Sequence, residues 1–173
     1  MVLEVEVLES SFALVAGRAD ELSLRFYERL FERYPSVQPM FAHLDMVEQR
    51  KKLVASLALI VGNLRKPDAL GDYLGTLGRR HGEIGAVPAH YDAVGENLLA
   101  VLQEIAGDAW TPEVAQAWAD AYGAIQTTMI EAADAAHEPR RGRMARESRS
   151  PSGERAPVRP SRVADGTSGS GTT

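Results

Sequence analysis

The sequence contains no cysteine in its 173 residues. That removes disulfide frameworks, thiolate zinc sites, iron–sulfur clusters and thiol nucleophiles together. Any metal chemistry must use histidine, carboxylate or a prosthetic group. No stretch approaches the roughly 18 consecutive apolar residues that a membrane helix needs. The acidic opening Met1-Val-Leu-Glu-Val-Glu also lacks the basic, then apolar order of a secretory leader. No integral membrane association and a cytoplasmic location are therefore expected. Alternating runs that would signal strands do not occur, and there is no internal repeat. What remains is a chain with 45% hydrophobic residues, enough for one buried core and too short for two.

Positive charge is scarce in the body. Residues 1–137 carry 11 Lys and Arg against 20 Asp and Glu, a net of −9, whereas residues 138–173 carry 8 Arg against 4 acids, a net of +4. An acidic body argues against nucleic acid as a partner, because such affinity comes largely from cations on phosphates. Composition changes at the same boundary. From Glu138 onward Gly, Pro, Ser, Thr and Arg supply 26 of 36 residues, with no aromatic, so apolar burial there cannot offset the entropy of ordering. The expected organisation is one domain over 1–137 and a disordered tail, rich in Arg, Ser, Gly and Pro, over 138–173. Acids interrupt the Arg140 to Arg149 cluster, which weakens its reading as a contact for anionic lipid or a partner.

The body reads as helices with short joints. Leu24, Tyr27, Leu30, Phe31 and Tyr34 follow the spacing of one helical face, and Pro35 stops that run. Asp45, with Glu48 three residues on, imitates a capping box. It opens a helix whose inner stripe is Gln49, Leu53, Leu57, Ile60 and Leu64, closed by Pro67. Leu70, Leu74, Leu77 and His81 share the next face, which dissolves at Gly82, Gly85 and Pro88. Tyr91, Val94, Leu98, Val101 and Leu102 point inward from a further helix that ends near Gly107. Thr111 as N-cap and Pro112 at the first helical position open the last, with Val114, Trp118, Ile125 and Met129 inside. Phe12 and Val15 mark an opening helix. The fold class expected is all-α.

Two residues stand out on otherwise apolar faces. His81 continues a leucine stripe, so its imidazole should point inward. Alone it reads as a core histidine hydrogen-bonded to a neighbour. Gln49 lies one turn before Leu53 on another inward stripe, where a lone amide is ordinarily a half-exposed residue at a helix start.

With their neighbours they form a pattern. The order Phe26-Tyr27, Tyr34-Pro35, Pro39-Met40-Phe41, Gln49-Arg50-Lys51, Leu77-Gly78-Arg79-Arg80-His81, His90-Tyr91 through Gly95-Glu96, then Trp118 through Tyr122-Gly123 resembles the globin family. The resemblance covers about residues 8–135. It is closest to bacterial single-domain haemoglobins and the haem domains of flavohaemoglobins. It implies a globin fold around haem b, with iron held by His81. Phe41 matches the phenylalanine that wedges against the haem, and Leu53 with Tyr27 and Gln49 matches the distal pocket. Tyr91, ten residues after His81, matches a proximal tyrosine. One element is missing: where flavohaemoglobins place a proximal glutamate on the last helix, this chain has Ala133. Glu131 and Asp134 point about 200° and 100° away from that position at 3.6 residues per turn.

The residue types suit the implied chemistry. A neutral imidazole is a good fifth ligand for haem iron and leaves the sixth position for a gas. Its other nitrogen needs an acceptor, and the Leu77 carbonyl one turn earlier can supply it. On the opposite face a phenol and an amide donate to a ligand that gains negative charge, the catalytic role the resemblance gives Tyr27 and Gln49. Simpler readings stand beside these: Tyr27 as a buried aromatic with a satisfied hydroxyl, and Tyr91 as packing. His43 and His90 flank joints, and His137 is expected to be solvated.

The implied ligands are O2, NO and CO. The primary expectation is oxygen binding, with conversion of nitric oxide to nitrate as its use. No flavin or nicotinamide domain is expected after Glu138, so turnover would need a separate reductase. The alternative is oxygen storage, delivery or gas sensing without turnover.

Overall fold

The computed structural model describes residues 3–147, with side chains through residue 137. Among these, the chain forms helices α1 (Val5–Ala16), α2 (Ala19–Arg33), α3 (Met46–Gly62), α4 (Pro67–Glu83), α5 (Pro88–Ala106) and α6 (Pro112–Glu147). A 3-10 stretch over Pro35–Phe41 joins α2 to the segment before α3, and a second turn covers Gly107–Ala109. No strand occurs among the described residues. The fold is all-α, and no described helix is long and apolar enough to cross a membrane. Two compact units are distinguished, Met1–Pro139 and Arg140–Thr173, and the core lies in the first.

Helix starts follow local chemistry. Asp45 caps α3, its Oδ1 accepting from the Val47 and Glu48 N–H groups at 2.8 and 3.2 Å. Only half of the anticipated box forms, because the Glu48 carboxylate accepts from Lys51 Nζ instead, at 2.7 Å. Pro67, Pro88 and Pro112 stand at the first positions of α4, α5 and α6, where a missing N–H costs no helical bond. Pro67 therefore opens α4 rather than closing α3, which has already ended at Gly62. Gly85, at φ 84°, makes the left-handed turn between α4 and α5.

Two faces differ from the periodic reading. On α2 the buried residues are Leu22, Ser23, Phe26, Tyr27 and Leu30, while Leu24 is 45% exposed. The face is rotated because α2 packs on both α3 and α5 and buries a broader arc than one stripe. On α1 Leu8, Ser11 and Val15 are buried. Ser11 belongs there because its hydroxyl accepts from the Trp118 indole N–H at 2.9 Å and donates to the Val7 carbonyl at 2.6 Å. At the other end of the chain, helical backbone is described as far as Glu147. The remainder of the expected tail, 148–173, lies outside the described residues.

The core falls into two clusters. The larger one holds Leu8, Leu22, Phe26, Tyr27, Leu30, Leu102 and Trp118, with Phe41 and Leu53 packed against it. The smaller one holds Ile60, Leu74, Tyr91 and Met129, with Leu77 and Ile125 against it. A main core with a smaller satellite is the ordinary arrangement for a domain of this size.

Candidate haem site

His81 stands in the last turn of α4. Its Nδ1 lies 2.9 Å from the Leu77 carbonyl oxygen. A carbonyl can only accept, so Nδ1 carries the proton and the Nε2 lone pair is free to coordinate a metal. The acceptor is the one the sequence suggested, since residues i and i−4 face each other on a helix. Beside this ring lies Tyr91, at 6.1 Å between centroids with planes 38° apart. Tyr91 is held from behind, because Tyr122 donates its hydroxyl to the Tyr91 carbonyl at 2.7 Å. The Tyr122 ring occupies the space that a side chain at Gly95 would need. Burial pushes the Tyr122 phenol well above its ordinary pKa, with Tyr91 and Asp92 adding to it.

The Tyr91 hydroxyl is buried without a hydrogen-bond partner. In the resembled pattern a glutamate would meet it, but Ala133 is a buried methyl here. Burial raises the Tyr91 pKa, and the Asp134 carboxylate raises it further. Asp134 thus exerts a field at the phenol without a bond to it.

Tyr27 comes from the buried face of α2 and is 6% exposed. Its ring contacts Phe26 edge-on at 5.0 Å, Phe41 edge-on at 5.6 Å and Phe31 at 5.8 Å. The 3-10 stretch places Phe41 into this group. Burial raises the pKa of the Tyr27 phenol, and the nearby Gln49 side chain on α3 lowers it. The phenol and the amide are thus neighbours, although they arise from different helices. Leu53 is half-buried one turn further along α3.

Sequence reading missed one support. Asn97 on α5 is 1% exposed and donates through Nδ2 to the Phe26 carbonyl at 2.8 Å. It ties α5 to α2 one residue before Tyr27. Among apolar positions an asparagine gives no periodic signal, and the only hint was its place between Val94 and Leu98.

The resembled family implies a haem, and the donor set is the test of fit: His81 has its Nδ1 committed and its Nε2 free, and beside it the Tyr91 hydroxyl is buried without a partner. Tyr27, Phe41 and Leu53 belong to one cluster and Leu77 and Tyr91 to the other. An imidazole with a free Nε2 accompanies the second, and a phenol–amide pair the first. A flat apolar group with a metal at its centre matches that division, so the residues present fit haem. Open grooves do not mark the site. One of about 520 Å³ between α2 and α3 is lined by Asp20, Ser23, Arg50 and Lys51. Neither it nor the groove beside Phe41 and Leu44 includes His81, Tyr27 or Gln49.

An all-α fold carrying an imidazole bonded at Nδ1 and free at Nε2 fits a helical haem protein. The chain belongs to the globin family: the family model described as Globin matches residues 24–129. It is 33% identical over 136 residues to a flavohemoprotein of Rhodopirellula baltica, covering 78% of this chain and 33% of that one. The chain thus spans about a third of the length of that curated relative. Among solved structures, a flavohemoglobin of Malassezia yamatoensis with bound FAD and heme superposes with a TM-score of 0.68. It is 22% identical and covers 78% of this chain and 36% of its own. An engineered carbene transferase made from a suspected nitric oxide dioxygenase of Rhodothermus marinus gives 0.72 at 23% identity, covering 80% and 97%. At these identities the structures speak for the fold.

Proposed function

We propose that the chain is an oxygen-binding haem globin that converts nitric oxide to nitrate, with electrons from a separate reductase. The observation that carries the reading is the His81 imidazole beside Tyr91, with its Nδ1 committed to the Leu77 carbonyl and its Nε2 free, while Tyr27, Phe41 and Leu53 pack in the other cluster. Haem, when bound, supplies gas binding and the transferable electron. His81 holds it from the proximal side, and the Leu77 carbonyl fixes the tautomer and orientation of that ring. Tyr27 and Gln49 donate hydrogen bonds to a ligand as it gains negative charge, and being fixed beforehand they need no reorganisation to do so. Phe41 and Leu53 exclude water that would protonate and release it.

Nitric oxide, dioxygen and one electron combine to give nitrate, so each turnover consumes an electron that must be replaced. The flavohemoprotein relatives, named for a flavin together with a haem, support the need for such an electron donor. Mixing the reduced, oxygenated chain with nitric oxide is expected to yield about one nitrate per haem in a single turnover. Sustained nitrate production is expected only after a reductase and its electron source are added. Displacement of oxygen to leave a stable nitrosyl, with no nitrate, would refute the enzymatic half and leave oxygen binding as its role.

A further inference from the structure

His81 sits in the most easily frayed part of its helix. Helix α4 ends at Glu83, two residues past the ligand, and terminal turns open at the least cost in a folded protein. After it come the exposed Ile84 and Val87 and, between them, Gly85 in a left-handed conformation and Ala86. Ala86 packs against the smaller core cluster and donates its N–H to the His81 carbonyl at 2.9 Å, which holds one side of the turn.

Helix α6 holds the turn at another edge. Gly78 and Gly82, one turn apart on α4, face Met129, Ala133 and His137, successive turns of α6. A Cβ at Gly78 would overlap the Met129 backbone, and one at Gly82 would lie 2.9 Å from the Ala133 Cβ and 3.1 Å from the His137 Cε1. The last contact is with a ring that is itself fixed, since His137 Nδ1 donates to the Ala133 carbonyl at 2.7 Å. His137 is thus exposed, as the sequence suggested, yet its ring is bonded. Its Cε1 faces Gly82, the residue next to His81, beside the position at which the resembled pattern has a glutamate.

We propose that His137 is a positioning residue for the proximal ligand: its anchored ring clamps the last turn of α4 at Gly82 and so sets the height and azimuth of the His81 imidazole. The clamp rests on the haem reading of the site. Where relatives of the resembled kind act on the proximal imidazole through a carboxylate, this chain acts on it through packing. Ala133 is part of the device, because a methyl there lets the two helices meet.

The test compares the full-length chain with His137→Ala and His137→Phe, each carrying haem. Two readouts are taken in the deoxygenated ferrous state: the iron–histidine stretching band by resonance Raman, and the rate of haem transfer to excess apomyoglobin. Loss of a group that orients a metal ligand commonly weakens binding by about 10–100-fold. His137→Ala is expected to transfer haem at least roughly tenfold faster and to show a displaced, broadened band. His137→Phe keeps a ring over Gly82 and is expected to recover most of both. A band and a transfer rate unchanged in His137→Ala would overturn the proposal. Should that variant lose its helical circular dichroism, His137→Gln, which leaves a side chain but no ring over Gly82, takes its place with the same two outcomes. An iron–histidine band missing from the unaltered chain would instead overturn the haem reading itself.

Discussion

His81→Ala is expected to bring haem content close to zero. Expressed with haem supplied, the variant should lack the Soret band of the unaltered chain at equal protein concentration. The reason is local. Of the described imidazoles, His81 is the one whose Nδ1 is committed to a carbonyl on the face next to Tyr91, and an alanine offers the iron nothing. The fold should survive, because the ring is only half-buried and the helix keeps Leu74 and Gly78 in contact with the core. Helical circular dichroism should therefore change little. Imidazole added to the buffer should restore part of the absorbance by filling the vacated volume. Full haem content with unaltered ferrous spectra would show that another residue holds the iron.

The second large effect is a pair of identical substitutions with opposite sign on one helix. Alanine exceeds glycine in helix propensity by about 1 kcal/mol. Gly71 on α4 has nothing within 4 Å of a new Cβ, so Gly71→Ala should stabilise by roughly 0.5–1 kcal/mol. Gly78→Ala puts its methyl into the Met129 carbonyl and backbone. Backbone cannot rotate aside, so α4 and α6 must separate, and the cost should reach or exceed the roughly 1–3 kcal/mol typical of overpacking. The separation also moves the turn that carries His81. Thermal unfolding of the two variants should differ in midpoint by several degrees, at about 2–4 °C per kcal/mol for chains of 150–250 residues. Equal midpoints would mean that the helices do not cross at Gly78.

What the sequence disclosed follows from the range of each interaction. Caps and i to i−4 bonds are local, and Asp45 at the start of α3 and His81 on the Leu77 carbonyl both stand as read. On α2 Tyr27 and Leu30 are buried as read, but Leu24 is exposed and Phe26 was unplaced, because a helix with two neighbours buries an arc whose centre depends on where they are. Pro67 was assigned to the wrong helix for a similar reason: proline both ends one helix and begins the next, and spacing alone does not say which. The 3-10 stretch that delivers Phe41 has no periodic signature of its own.

The site divides the same way. The His81 imidazole and its Leu77 acceptor were legible within one helix. That Tyr27 meets Gln49, that Asn97 holds the Phe26 carbonyl and that His137 lies over Gly82 all depend on contacts between helices. His137 read as solvated and is exposed, but nothing in the sequence shows that α6 continues far enough to bring its ring beside Gly82 on α4.

The central claim is a pocket with His81 below and two hydrogen-bond donors above, and the oxygen dissociation rate measures it most directly. Each neutral hydrogen bond to the ligand contributes about 0.5–1.5 kcal/mol, roughly two- to tenfold in rate. Stopped-flow release of oxygen from the reduced full-length chain should be two- to tenfold faster, roughly, in Tyr27→Phe, with a smaller acceleration in Gln49→Leu. Rates identical to the unaltered chain in both variants would contradict the account, because then neither side chain faces the gas.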